Sequence, residues 1–310
     1  MYFIDGHCDT LTLALSKGED LFTHKGHLNL EKLAHFKPAV QVFAIWLNDE
    51  EVLNAYESTI KVMDHAHTVF NSRPDCIRLA TSYADIINNI NSDVCSAILG
   101  AEGAEPIGKD LDNLRKLHEK GLRVLTLTWN RHNAVSGCIQ EPNLDGLSEF
   151  GRETVAECER LGVIIDVSHI STKGFWDVIE TTAKPFIASH SNCKALASHR
   201  RNLDDEQIKA LANKGGVIGA NFCDAFLSDT HDPTMDDVVR HIDHIIKVGG
   251  EDCAAIGGDL DGTASPKSGW YKDVMLYEPL YARLVKDYGS TLADKIFFGN
   301  YLRLFKDTLR

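Results

Sequence analysis

Asp5-Gly6-His7-Cys8-Asp9-Thr10 closes an apolar run, Tyr2-Phe3-Ile4, near the start of a 310-residue chain. On a strand, side chains at i and i+2 share one face. The spacing therefore predicts that His7 and Asp9 converge on one metal ion, with Cys8 turned to the opposite face as a packing residue.

Outward from that stretch, short β-rich runs alternate with amphipathic segments, the pattern of repeated β-α units around a parallel sheet. Strands are predicted at 2–9, 39–48, 96–102, 123–130, 163–169, 185–190, 217–222 and 254–259. Helices are predicted at 49–71, 110–120, 148–161, 171–182, 204–213 and 235–248. Acids at Asp204-Asp205-Glu206 and Asp236-Asp237 suit helix starts by complementing the macrodipole. No repeat or linker interrupts the series, and a barrel of this kind takes roughly 250 residues. The expected fold is α/β, a (β/α)8 TIM-type barrel forming a single domain over residues 1–310.

In such a barrel the C-terminal strand ends form the mouth where chemistry takes place. Polar residues fall at those ends: His7 and Asp9 on the first strand, Glu102 on the third, His169 on the fifth, His190 on the sixth and Asp259 on the eighth. Imidazole nitrogen and carboxylate oxygen are zinc ligands at about 2.0–2.2 Å. Six such groups exceed the needs of one tetrahedral ion, so two zinc ions per chain are expected, with Glu102 as the bridging carboxylate. The other histidines lie in predicted helices or loops. His65-x-His67, in particular, falls in a helix, where i and i+2 do not share a face. His132 and His199 sit near the predicted mouth, either as supports for the ligands or as substrate contacts.

The chain carries a formal net charge of −13, which argues against nucleic acid or an anionic membrane as partner. No run approaches the roughly 18 apolar residues of a membrane helix. Eight cysteines are scattered without C-x-x-C spacing, as buried thiols of a reducing compartment would be. The expected location is the cytoplasm. Segments 49–71 and 276–309 are candidate surfaces for a homodimer.

With these residues assembled, the sequence resembles the membrane dipeptidase family, the renal-dipeptidase type of binuclear zinc peptidase. The resemblance rests on residues 5–10, Ala101-Glu102-Gly103, Leu125-Thr126-Leu127-Thr128 and Asp166-Val167-Ser168-His169. It continues through Ser189-His190-Ser191, Arg200-Arg201-Asn202, Gly257-Gly258-Asp259-Leu260-Asp261-Gly262 and Gly299-Asn300-Tyr301-Leu302-Arg303. It implies that His7 and Asp9 hold one zinc, that His169 and His190 hold the other, and that Glu102 bridges both. It also implies Asp259 as proton carrier, with Asp261 as the fallback, and Arg201 as the contact for the substrate's free carboxylate. The sequence departs from the mammalian pattern at Trp129, where those relatives carry a histidine that contacts the substrate carbonyl. That contact then falls to His132, to Asn130 or to metal alone.

The expected activity is zinc-dependent hydrolysis of dipeptides, including those with a D-configured C-terminal residue. Two alternatives stand beside it. One is a different amidohydrolase chemistry on the same centre, such as N-acyl amino acid deacylation or lactone opening. The other is a non-catalytic metal-binding barrel.

Overall fold

The computed structural model describes residues 1–140 and 145–310. Among these, nine strands form: β1 (Phe3–Cys8), β2 (Ala39–Ile45), β3 (Ile77–Leu79), β4 (Cys95–Glu102), β5 (Leu122–Thr126), β6 (Ile164–Asp166), β7 (Ile187–Ala188), β8 (Val217–Ala220) and β9 (Ala254–Ile256). Every pairing is parallel. β1 pairs with β2 and β9, β2 pairs with β4, and β4 to β9 follow in sequence order, so eight strands close a ring. This is the expected (β/α)8 barrel.

β3 stands outside the ring. It pairs with residues 95–97 of β4, below the stretch 99–102 that β5 occupies. Its three residues, Ile-Arg-Leu, are too few to show a period in sequence, which is why no strand was expected there.

The longer helices are α1 (Thr10–Lys17), α2 (Ala55–Asn71), α3 (Tyr83–Asn91), α4 (Leu111–Glu119), α5 (Glu149–Leu161), α6 (Thr172–Thr181), α7 (Asp205–Asn213), α8 (Met235–Gly249), α9 (Tyr277–Tyr288) and α10 (Asn300–Thr308). Side-chain N-caps start many of them, with Ser148 for α5 and Ser171 for α6. Asp204 with Gln207 and Thr234 with Asp237 form capping boxes at α7 and α8, each satisfying two otherwise orphaned backbone donors. The helix expected at 49–71 opens as a 3-10 turn over Glu51–Asn54 before α2 begins.

The core has two layers. Ile4, Val40, Val42, Ile98, Val124, Ile164, Ile187, Val217 and Ala255 supply at least one inward side chain from each barrel strand. Tyr301, Leu304 and Phe305 of α10 belong to the same cluster and pack against those barrel side chains. The alternate positions, among them Phe3, Phe43, Leu99, Leu125, Ile165 and Ile218, face the surrounding helices. This is the period-2 alternation of strands buried on both faces. Cys8 lies in the outer layer, as expected of a packing residue.

The strands are shorter at their C-terminal ends than their apolar runs suggest. β6 stops at Asp166, β7 at Ala188 and β9 at Ile256, so His169, His190 and Asp259 stand in the loops beyond. His169 and Asp259 adopt left-handed backbone, with φ of 69° and 56°. Such conformations are uncommon for residues with a Cβ and concentrate at functional sites. No described helix is long and apolar enough to cross a membrane.

Candidate metal centre

The pairing of β1 with β2 shifts register between Asp5 and Cys8. Strict alternation from inward Ile4 would turn His7 outward and Cys8 inward. The irregularity reverses that, and re-aiming a side chain is a common use of such a bulge. Asp9 lies past the strand, at the N-cap of α1. His7 and Asp9 converge nonetheless, with Nε2 and Oδ2 3.4 Å apart.

Glu102, the last residue of β4, is the hub. Its Oε1 lies 3.1 Å from His169 Nε2, 3.5 Å from His190 Nε2 and 3.6 Å from His7 Nε2. Asp259 Oδ1 is 3.9 Å from His7 Nε2. Three sets of donor atoms result among the described residues: Glu102 with His169 and His190, His7 with Asp9 and Asp259, and His7 with Asp166 and His190, which shares one imidazole with each of the others. All of these side chains are buried.

The hydrogen bonds fix which ring nitrogens carry lone pairs. His169 Nδ1 lies 2.8 Å from Asn130 Oδ1, which only accepts, so Nδ1 donates. His190 Nδ1 lies 2.7 Å from Ser189 Oγ, whose single proton goes to Asp166 Oδ2 at 2.6 Å, so this Nδ1 donates as well. Both Nε2 atoms therefore present lone pairs, and they face each other at 3.0 Å. Two lone pairs at that distance repel unless a cation lies between them. His7 Nε2 and Asp9 Oδ1 are likewise buried with no hydrogen-bond partner. Donor atoms spaced this way match ligands that each reach a cation at about 2.0–2.2 Å. The residues present fit divalent metal with N/O ligands.

Electrostatics agree. Burial works to lower the pKa of His7, yet Glu102, Asp9 and Asp259 outweigh it and raise it to about 10. The pocket thus stabilises positive charge at the point where His7 Nε2 faces the carboxylates. Burial holds His169 and His190 well below the usual imidazole range, keeping both neutral. Burial also pushes Glu102 well above the carboxylate range, and Asp259 up to about 6.

Two buried aspartates that the sequence reading passed over hold this arrangement. Asp5 Oδ1 accepts the N–H groups of His7 and Gly258, tying the end of β1 to the segment after β9, and Tyr277 OH donates to its Oδ2. Asp166 Oδ1 accepts the N–H groups of Ser168 and Ser189, tying β6 to the segment after β7. Its Oδ2 accepts from the hydroxyls of Thr126 and Ser189. The signal was present: each aspartate lies two or three residues before a metal-facing histidine. Asn221 was also missed; its Nδ2 donates to Asp259 Oδ2 at 3.0 Å.

The centre opens into a cavity of about 620 Å³. Asp9, Glu102, His169, Asp259, Trp129 and Asn130 line it. Trp129 packs edge-on against Trp46 and carries the Arg131 guanidinium 5.0 Å above its ring. Arg201 is buried, with its guanidinium 5.5 Å over Phe226, itself part of the cavity wall, and its Nε without a partner. Arg200 is exposed. His132 is also exposed and lines a separate depression with Lys109 and Asp145, so the structure does not bring it to the metal side of the mouth. His199 Nδ1 accepts the Arg201 N–H. Asp261, the fallback proton carrier, accepts from Thr10 Oγ1 and from the N–H groups of His27 and Leu28, a structural engagement that leaves Asp259 the freer acid.

The sequence matches the membrane dipeptidase family, peptidase family M19, over residues 1–309. A Klebsiella pneumoniae protein described as an uncharacterized protein in the pqqA 5′ region is 34% identical over 242 residues, covering 74% of this chain and 89% of its own length. Dipeptidase tcpJ of Claviceps purpurea is 28% identical over 295 residues, covering 91% of this chain and 69% of its own. Among solved structures, a metallo peptidase from Rhodobacter sphaeroides, liganded with a phosphinate mimic of the dipeptide L-Ala-D-Ala, superposes with a TM-score of 0.91 at 28% identity over 99% of both chains. The dipeptidase AC, a metallo peptidase of family M19, gives 0.89 at 28% identity, covering 100% of this chain and 99% of its own. With its barrel, its buried imidazole and carboxylate cluster and these likenesses in hand, the chain belongs to the membrane dipeptidase family.

Proposed function

We propose that this metal-dependent dipeptidase uses two zinc ions held by His7, Asp9, Glu102, His169 and His190, and that it accepts dipeptides whose C-terminal residue has either configuration. The observation that carries the reading is Glu102 Oε1, within 3.1–3.6 Å of three imidazole Nε2 atoms on the wall of a substrate-sized cavity. The dipeptide mimic in the Rhodobacter sphaeroides structure supports the substrate class and the D-configured end.

Bound metal supplies Lewis-acid polarisation of the scissile carbonyl and an acidified water. The chain's own residues do the rest. Asn221 anchors Asp259 through Oδ2, leaving Oδ1 on the side of His7 to take a proton from the attacking water and deliver it to the departing amine. Arg201 offers a planar fork matched to a carboxylate, and its buried, unpartnered Nε suits the free C-terminus of a dipeptide. Trp129 and Asn130 complete the wall, with Asn130 also holding His169 in its metal-facing tautomer. Residues 1–310 act as one domain in this reading. Six of the eight cysteines are buried, which supports a cytoplasmic location.

The test is elemental analysis of the purified protein combined with rates on L- and D-ended dipeptides, N-acyl amino acids and lactones. Two zinc ions per chain and fastest turnover of dipeptides are expected. The D259N variant should retain its metal while turnover falls by roughly 100-fold or more. Faster turnover of lactones or N-acyl amino acids would replace the reading with one of those chemistries.

A further inference from the structure

We propose that the preferred substrate carries an acidic side chain on its N-terminal residue, recognised by Lys61. The proposal rests on the dipeptidase reading above and deepens it.

Orientation comes from the ring of strands. In the closed order β1, β2, β4, β5, β6, β7, β8, β9, strands β2 and β7 are four places apart, on opposite sides of the barrel. Arg201 follows β7, whereas Trp46 and α2 follow β2. A dipeptide whose C-terminal carboxylate is held by Arg201, with its scissile bond over the metal cluster, extends its N-terminal residue toward the β2 side.

That side of the cavity is built for a particular side chain. Its walls are Leu15 of α1, Val62 of α2 and Trp46, surfaces for an aliphatic stem. Ser58 and Lys61 of α2 add polar groups on the same side. Lys61 is the one lysine or arginine on the cavity wall, and among the described residues no carboxylate pairs with it. Glu51 shares this side, but its carboxylate accepts the Asn48 N–H at 3.0 Å and so stays tied to its own turn. The Lys61 ammonium is therefore the charged tip on this side that no described partner engages. A short aliphatic stem ending in a carboxylate, as in a glutamyl residue, matches both the walls and the tip.

The test compares kcat/KM for L-Glu-L-Ala with its neutral isostere L-Gln-L-Ala, and L-Ala-L-Glu with L-Ala-L-Gln, using metal-loaded enzyme at low and high salt. The first ratio should be roughly 5- to 10-fold in favour of the acid and shrink with salt, while the second stays near one. K61M should bring the first ratio to one, K61E should invert it and K61R should preserve it; thermal melts verify that each variant is folded. A first ratio at or below one in the parent, a preference that survives K61M, or a preference at the C-terminal position instead would overturn the assignment. Failure of the parent to cleave even L-Ala-L-Ala would be a different result, striking the dipeptidase reading itself.

Discussion

The Ser189 hydroxyl lies 2.6 Å from Asp166 Oδ2, and its oxygen lies 2.7 Å from His190 Nδ1. A buried carboxylate thus sets the proton of a serine, and the serine sets the proton of an imidazole whose other nitrogen faces the metal cluster. Relays of this kind fix the tautomer of metal-binding histidines. Replacing Ser189 by alanine should weaken zinc binding about 10- to 100-fold. Competition against a chelator of known affinity measures this. An S189A protein that holds zinc as tightly as its parent would show that His190 is oriented without Ser189.

Removal of metal leaves the facing lone pairs of His169 and His190 and the clustered carboxylates without a counter-charge. Chelation should abolish turnover and lower the melting temperature by several degrees, and zinc should restore both. A cation at 1,000 times its dissociation constant adds about 4 kcal/mol. Coincident loss and recovery in calorimetry and activity is the expected result.

Arg201 is predicted to act through the substrate's free carboxylate. R201K keeps the charge but loses the planar fork, so kcat/KM for dipeptides should fall roughly 100-fold, mainly through KM. Dipeptides amidated at the C-terminus should be poor substrates for the parent and scarcely worse for R201K. Equal losses on both substrate types would remove the carboxylate role.

Stability should depend on pH through His241 of α8, which is not among the metal-facing side chains. Its Nδ1 accepts the Cys193 N–H at 3.1 Å and its Nε2 donates to Leu227 O at 3.1 Å, so the ring is neutral when folded. Burial depresses its pKa to about 4. Between the unfolded value of about 6.5 and that folded value, the unfolded chain binds more protons, so this contribution is complete above pH ~6.5 and falls as pH drops toward 4. The full effect is about 3 kcal/mol. At pH 7.5, H241N should be less stable than the parent, and the gap should narrow steadily on acidification in urea titrations. A gap that is constant with pH would mean the folded histidine titrates normally.

Much of this centre was legible in the chain because it depends on local order. A βα repeat places every strand's C-terminal end at one mouth, so His7, Glu102, His169 and His190 could be assigned to a common rim from their positions after apolar runs. The overrun of the expected strands has a simple cause. Residues 167–169 and 257–259 lie beyond β6 and β9 but remain buried, so the runs continue without an exposed turn residue past the last ladder pairing. The placing of Asp5 and Asp166 just before a histidine was legible but their clasping role was not, since an aspartate in a strand looks the same whether it meets a metal or a neighbouring backbone N–H.

The sequence by itself determined the barrel, the side of it that carries chemistry, and the identity of the imidazoles and acids gathered there. Those follow from periodicity and from the kind of atom each side chain bears. Only the tertiary structure decided between neighbours: Arg201 buried while Arg200 is exposed, Asn130 on the cavity wall while His132 faces elsewhere, and Asp259 beside His7 while Asp261 is tied to backbone. It also set Lys61 on the wall of the cavity. Adjacent residues share nearly the same sequence context, and what separates them is the direction in which each loop leaves the ring once β1 has paired with β9.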